Sequence, residues 1–88
     1  MDIIFTSHSK LEMKRRNIKE SSVISVIKKA EQKINSKNNK IIFQSKFFDA
    51  DEQTEMILRV ICELFEPKII KVITVYKTSK IKKYWIEG

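Results

Sequence analysis

Glu55-Met56-Ile57-Leu58-Arg59-Val60-Ile61-Cys62-Glu63-Leu64-Phe65 decides how this chain of 88 residues is read. Successive side chains of a strand point to opposite faces of a sheet. Met56, Leu58, Val60, Cys62 and Leu64 therefore share one face, and Ile57, Arg59, Ile61, Glu63 and Phe65 share the other. Most positions on both faces are apolar, which is the pattern of a central strand covered by helix on one side and partly covered on the other. Arg59 and Glu63 are the polar exceptions. A charge on such a strand needs a partner, and Glu63 on the same face or Glu12 elsewhere could supply one for Arg59.

Moving outward, Ile41 to Phe48 also reads as a strand, with Asp49-Ala50-Asp51-Glu52-Gln53 as the turn between it and the central one. Glu66-Pro67-Lys68 is a second turn. It leads into a third strand, Ile69 to Lys77, with Ile70, Val72, Thr74 and Tyr76 on one face. Connections this short predict an antiparallel meander. The tail from Ser79 to Gly88 reads as a turn and a fourth, edge strand.

Toward the N-terminus the period changes from 2 to 3.6. Val23, Val26, Ile27, Ala30 and Ile34 make one apolar stripe on a helix from about Glu20 to Ile34. Asn35-Ser36-Lys37-Asn38-Asn39 ends it and crosses to the sheet. A first helix over residues 7–16 is capped by the hydroxyl of Thr6 or Ser7 and stops near Asn17, a residue that tolerates the left-handed backbone of helix ends. Asp2-Ile3-Ile4-Phe5 is short enough to be an edge strand or a packed lead-in. The expected fold is α+β, a single domain over residues 1–88, with two N-terminal helices packed on a three- to four-stranded antiparallel sheet.

Composition narrows the function. One cysteine, Cys62, excludes an internal disulfide, and with one histidine it leaves no Cys/His cluster for a structural metal. Cys62 in its apolar run reads as a core thiol. No cofactor or metal is expected. The chain has no apolar run near 20 residues and no basic-then-apolar leader, so no membrane partner is expected and a cytoplasmic location is the default. Net charge is +7, unevenly spread: residues 1–39 carry +5, residues 40–67 carry −3 and residues 68–88 carry +5. If the two ends meet they form a positive surface suited to phosphates. Solvation of a small domain by lysines is the structural alternative.

On the first helix His8, Leu11, Glu12, Arg15 and Arg16 fall on one band. An imidazole can serve as acid or base, which makes His8 a candidate for either role; a lone histidine in a first helical turn is more often a cap. Lys14, Arg15 and Arg16 also suit the negative end of a helix dipole. Lys80, Lys82 and Lys83 lie beside Tyr84 and Trp85 in the tail, a run of cations and stacking rings that suits nucleic acid and equally suits a solvated sheet edge.

The opening F-T-x-H-x-x-x-x-M-x-x-R-x-I (Phe5 to Ile18), the L-R-V of Leu58 to Val60 and the I-T-V-Y-K-T-S-K-I-x-K-Y of Ile73 to Tyr84 resemble a family of small proteins known as domain of unknown function 4258. That family is similar in topology to the barnase–colicin–RelE group of small metal-independent ribonucleases and toxins. The chain departs from the usual pattern at Ser9, Glu12, Asn17 and Lys19; Glu12 stands where the family carries arginine.

The resemblance implies a toxin-like endoribonuclease that cleaves RNA by general acid/base chemistry, with His8, Arg16, Arg59 and Tyr84 catalytic. Arg15, Thr74, Tyr76, Lys80, Lys82, Lys83 and Trp85 then hold the nucleic acid. Two readings of other classes use the same surface: a nucleic-acid-binding module without catalysis, and an interaction domain whose basic face is covered by an acidic, antitoxin-like protein. The oligomer expected is a monomer or a weak homodimer formed through an open strand edge.

Overall fold

The computed structural model describes residues 2–87. Thr6 starts the first helix, α1 (Ser7–Arg15): its Oγ1 accepts from the Ser9 N–H at 3.0 Å and donates to the Val72 carbonyl at 2.9 Å. One hydroxyl thus caps the helix and ties its start to the sheet. Asn17, at φ 55°, ends it. The Ile18 N–H returns to the Met13 carbonyl at 2.8 Å and the Asn17 N–H to the Lys14 carbonyl at 3.3 Å, the double bond of a left-handed helix stop.

The second helix, α2 (Glu20–Lys29), buries Val23, Val26 and Ile27 but is shorter than its apolar stripe suggests. Ala30 is already extended, and Gln32–Asn35 form a strand, β2, instead of two more helical turns. The break is held by Glu31, whose N–H donates to Ser45 Oγ and whose carboxylate accepts from the Lys46 N–H. Ile34 satisfied the helical spacing and satisfies a strand equally well, lying opposite Ile42. Asn38 and Asn39, at φ 60° and 61°, form the tight hairpin that leads to β3 (Lys40–Asp49).

The sheet corrects the expectation of three or four antiparallel strands. It has five strands in the order β1-β5-β4-β3-β2, with β4 (Thr54–Glu66) in the centre. β1 (Asp2–Phe5) pairs in parallel with β5 (Ile69–Thr78), so the sheet is mixed; its other pairings are antiparallel. The tail is also different from expectation: Ile81–Tyr84 form a single helical turn, α3, in place of an edge strand. The class remains α+β.

The two longer helices cover one face. Met13 of α1 and Val23, Val26 and Ile27 of α2 join Ile41, Phe43, Leu58, Val60, Cys62, Ile70, Val72 and Val75 in one apolar cluster. Burial pushes the Cys62 thiol up to about 12, as expected of a core thiol. By alternation along β3, β4 and β5, the face without these helices carries Gln44, Lys46, Ile57, Arg59, Ile61, Thr74 and Tyr76.

Glu12 is buried on α1, where its carboxylate meets Arg15 at 3.1 Å and Arg16 at 3.0 Å. Arg16 also donates to the Val75 carbonyl at 2.8 Å. Glu12→Ala is expected to cost about 1 kcal/mol in urea unfolding, because both arginines are partly exposed and return to water when their partner is lost.

Asp49 closes the β3–β4 turn. Its carboxylate accepts from the Glu52 and Asp51 N–H groups and pairs with Lys77. The Glu52 amide first, then Lys77 and the Asp51 amide against the opposing effect of burial, hold this acid below its ordinary 3.8. A depressed carboxyl stabilises the fold above its unfolded value and loses that contribution as pH falls through the folded one. Asp49→Asn is therefore expected to flatten the dependence of stability on pH below about 3.8, read from thermal melts in acid.

Candidate active site

Three strands and the last helical turn converge on Arg59. It lies on β4 with 7% of its surface exposed, on the face that α1 and α2 leave open. Its strand neighbour Tyr76 accepts from Arg59 Nη1 through the phenol oxygen at 2.7 Å. Tyr84 on α3 places its ring over the guanidinium, with Cζ 4.2 Å from the ring centroid. The two tyrosine rings meet edge to face, centroids 6.2 Å apart and planes at 70°. Lys83 lies 5.2 Å from the Tyr84 centroid.

Among the described residues no carboxylate pairs with this guanidinium. Among the described residues the ion pairs are Glu12 with Arg15 and Arg16, Lys40 with Glu63, and Lys77 with Asp49. Glu63 and Glu12, the partners expected for Arg59, are thus engaged elsewhere. Arg59 Nε also lacks an acceptor among these residues. A buried cation without an anion costs free energy unless a ligand or pre-arranged dipoles compensate, and a planar guanidinium matches a phosphate or carboxylate in two bonds.

The phenols diverge in acidity. Burial raises Tyr76, and its contact with Tyr84 adds to the effect against the opposing charge of Arg59. Tyr84 is also pushed up by desolvation, but its hydrogen bond to Lys83, the Lys83 charge, the Tyr76 hydroxyl and Arg59 outweigh this and bring it below its usual 10. Two neighbouring acids driven apart in this way suit opposite roles in proton transfer.

The candidate residues fall into two groups. Arg59, Tyr76, Tyr84 and Lys83 come together, with Trp85 alongside through Lys46, whose ammonium lies 4.3 Å from the indole ring centroid. Thr74 is on the same face, paired with Ile61 one ladder step from Arg59 and Tyr76. Lys80 at the start of α3 and Lys82 within it are exposed. His8 is exposed in the first turn of α1 and shares no hydrogen bond or ion pair with the cluster among the described residues. Arg15 and Arg16 are engaged by Glu12.

Gln44 and Gln32 were not singled out in the sequence. Gln44 is fully buried opposite Arg59 and donates to Gln32 Oε1 at 2.7 Å and to the Tyr84 carbonyl at 3.1 Å. Its signal was available: a polar residue on the same face as Arg59, in a strand that is otherwise largely apolar. Among the described residues no three His, Cys, Asp or Glu side chains gather as a metal-binding group. No helix among them is long and apolar enough to cross a membrane.

No curated protein and no solved structure matches this chain. The sequence pattern of the family described as "Domain of unknown function (DUF4258)" matches residues 5–77, a span that holds Arg59 and Tyr76 and stops short of Lys83 and Tyr84. With most of its length in that match, the chain belongs to the DUF4258 family.

Proposed function

We propose that this protein is a metal-independent endoribonuclease whose active site is Arg59, Tyr76, Tyr84 and Lys83. The observation that carries the reading is the buried guanidinium of Arg59, without a carboxylate partner among the described residues, held between two phenols of opposite acidity shift. Net charge of +7 favours a polyanionic substrate.

RNA carries its own nucleophile. Tyr84, as phenolate, takes the proton of a 2′-hydroxyl, and that oxygen bonds to the adjacent phosphorus as the bond from phosphorus to the 5′-oxygen breaks. Tyr76, kept protonated by its environment, gives its proton to the departing oxygen. Arg59 and Lys83 stabilise the charge that gathers on the non-bridging oxygens. The products are a 2′,3′-cyclic phosphate and a 5′-hydroxyl end. Tyr84 now holds the proton and Tyr76 does not; because Tyr84 is the stronger acid, transfer between the neighbouring phenols resets the site.

The test is cleavage of single-stranded RNA by the purified protein in EDTA, with the product ends identified and His8→Ala run in parallel. Cleavage to cyclic phosphate ends that persists in His8→Ala supports the reading. RNA bound with a steep salt dependence but left intact assigns the same cations to docking alone. Neither cleavage nor binding removes the nucleic-acid reading and leaves an acidic protein partner as the ligand of the basic surface.

A further inference from the structure

Gln32, Gln44, Arg59 and Tyr76 are successive Cα partners across β2, β3, β4 and β5. They form one polar row across the face that α1 and α2 leave open. Such a row is costly unless its groups are bonded, and here the chain's own C-terminal segment supplies part of the bonding. Gln44 donates to the Tyr84 carbonyl. Gln32 uses both ends of its amide on one residue: Nε2 donates to the Ile86 carbonyl at 2.7 Å, and Oε1 accepts from the Ile86 N–H at 3.1 Å.

The segment does not saturate the row. Among the described residues Gln44 Oε1 has no donor and Arg59 Nε no acceptor, although the two residues are direct strand partners and both are buried. Nor is the segment anchored in the core. α3 contains no buried residue, Ile86 is 53% exposed, and none of residues 79–87 belongs to the apolar cluster.

We infer that Gln32 and Gln44 form a nucleobase subsite continuous with the Arg59 phosphate site, which the Trp85–Ile86 backbone fills until RNA displaces it. This rests on the reading of Arg59 as a phosphate site. A glutamine amide that holds an adjacent donor and acceptor with both ends binds the same pair on a base edge, such as the N6–H and N7 of adenine; the N4–H and N3 of cytosine offer it too, so the subsite reads the presence of a base edge and adenine serves as its probe. Gln32 and Arg59 are two strand spacings apart, about 9–10 Å, the reach from a phosphate to the far edge of its own nucleotide. Tyr84 keeps its ring on Arg59 while the backbone beyond it lifts, exchanging the Gln32–Ile86 bonds and the Lys46–Trp85 contact for bonds to the base and to water.

Trp85 is the single tryptophan and sits in the part that moves. The experiment titrates the intact protein with short oligo(A) and an abasic oligomer of the same length, both carrying 2′-O-methyl sugars, which bind without being cleaved. Affinity and acrylamide quenching of Trp85 are both read. Oligo(A) is expected to bind roughly tenfold more tightly than the abasic oligomer and to make Trp85 more accessible to the quencher. In Gln32→Leu, a change at a half-buried position, the preference for oligo(A) disappears while the salt dependence stays as in the wild type.

Equal affinity for the two oligomers in the wild type, a preference that survives Gln32→Leu, or unchanged quenching in the complex each overturns the subsite. Cleavage of RNA together with equal binding of the two oligomers overturns it alone. Failure of both oligomers to bind overturns the proposed ribonuclease as well.

Discussion

Arg59→Met is expected to lower RNA cleavage by roughly a hundred- to a thousandfold and, in the same protein, to raise thermal stability. The loss follows from position: the guanidinium is fixed by Tyr76 and Tyr84 before substrate arrives, so it stabilises the phosphoryl charge without reorganising. The gain follows from burial. A cation 7% exposed, with no ion pair and with Nε unbonded among the described residues, is expensive to keep inside a small domain. The phenol bond and the ring contact offset only part of that cost.

Methionine fills similar space and sits on a face shared with Ile57 and Ile61. Removing the charge is expected to add about 1–2 kcal/mol, or roughly 4–8 °C per kcal/mol for a domain of this size, measured by calorimetry. Arg59→Lys keeps the charge but loses the planar fork and is expected to fall between. A methionine variant that is less stable and still cleaves RNA would make Arg59 a structural residue and sink the proposed site.

Local order was largely readable from residue spacing, and pairing at a distance was not. The alternation from Met56 to Phe65 marked the central strand because both its faces are apolar, and that is where β4 lies. Asn17 announced a helix end and adopts the left-handed conformation that such an end uses. The parallel pairing of β1 with β5 joins residues 2–5 to residues 69–72. Four residues carry too little periodicity to reveal a partner so far along the chain. β2 was hidden for a different reason: Ala30 and Ile34 fit helical spacing, and the hairpin through Asn38 and Asn39 decided the outcome.

The candidate site was legible in its side chains and not in its grouping. Arg59, Tyr76, Tyr84 and Lys83 were each conspicuous as residue types. Their meeting depends on β4–β5 register, including the irregularity between Ile61 and Cys62, and on α3 folding back over the sheet. His8, the most reactive residue by type, lies on α1 apart from their contacts. Glu12, which stands where the family carries arginine, is spent on Arg15 and Arg16.

Tyr84→Phe removes the proposed base and is expected to lower cleavage by roughly a hundred- to ten-thousandfold with little change in fold, since Tyr84 is only half buried. The pH profile carries the sharper test. Tyr84 must be ionised to accept a proton, and its acidity is enhanced, so the rate should rise with pH along a limb centred below 10. Tyr76 must stay protonated to donate, and its acidity is suppressed, so the rate should fall again only above 10. Both limbs are alkaline, and the optimum lies between them.

Lys83→Met should displace the rising limb to higher pH, because the ammonium's hydrogen bond and charge are the chief influences drawing Tyr84 down. The measurement is kcat/KM on a short RNA across this range, corrected for uncatalysed hydrolysis at each pH. A rising limb abolished by His8→Ala and untouched by Tyr84→Phe would transfer the acid–base work to the α1 histidine and leave Arg59 and its tyrosines as a binding surface. An alkaline optimum that follows Lys83 would fix Tyr84 as the group that starts the reaction.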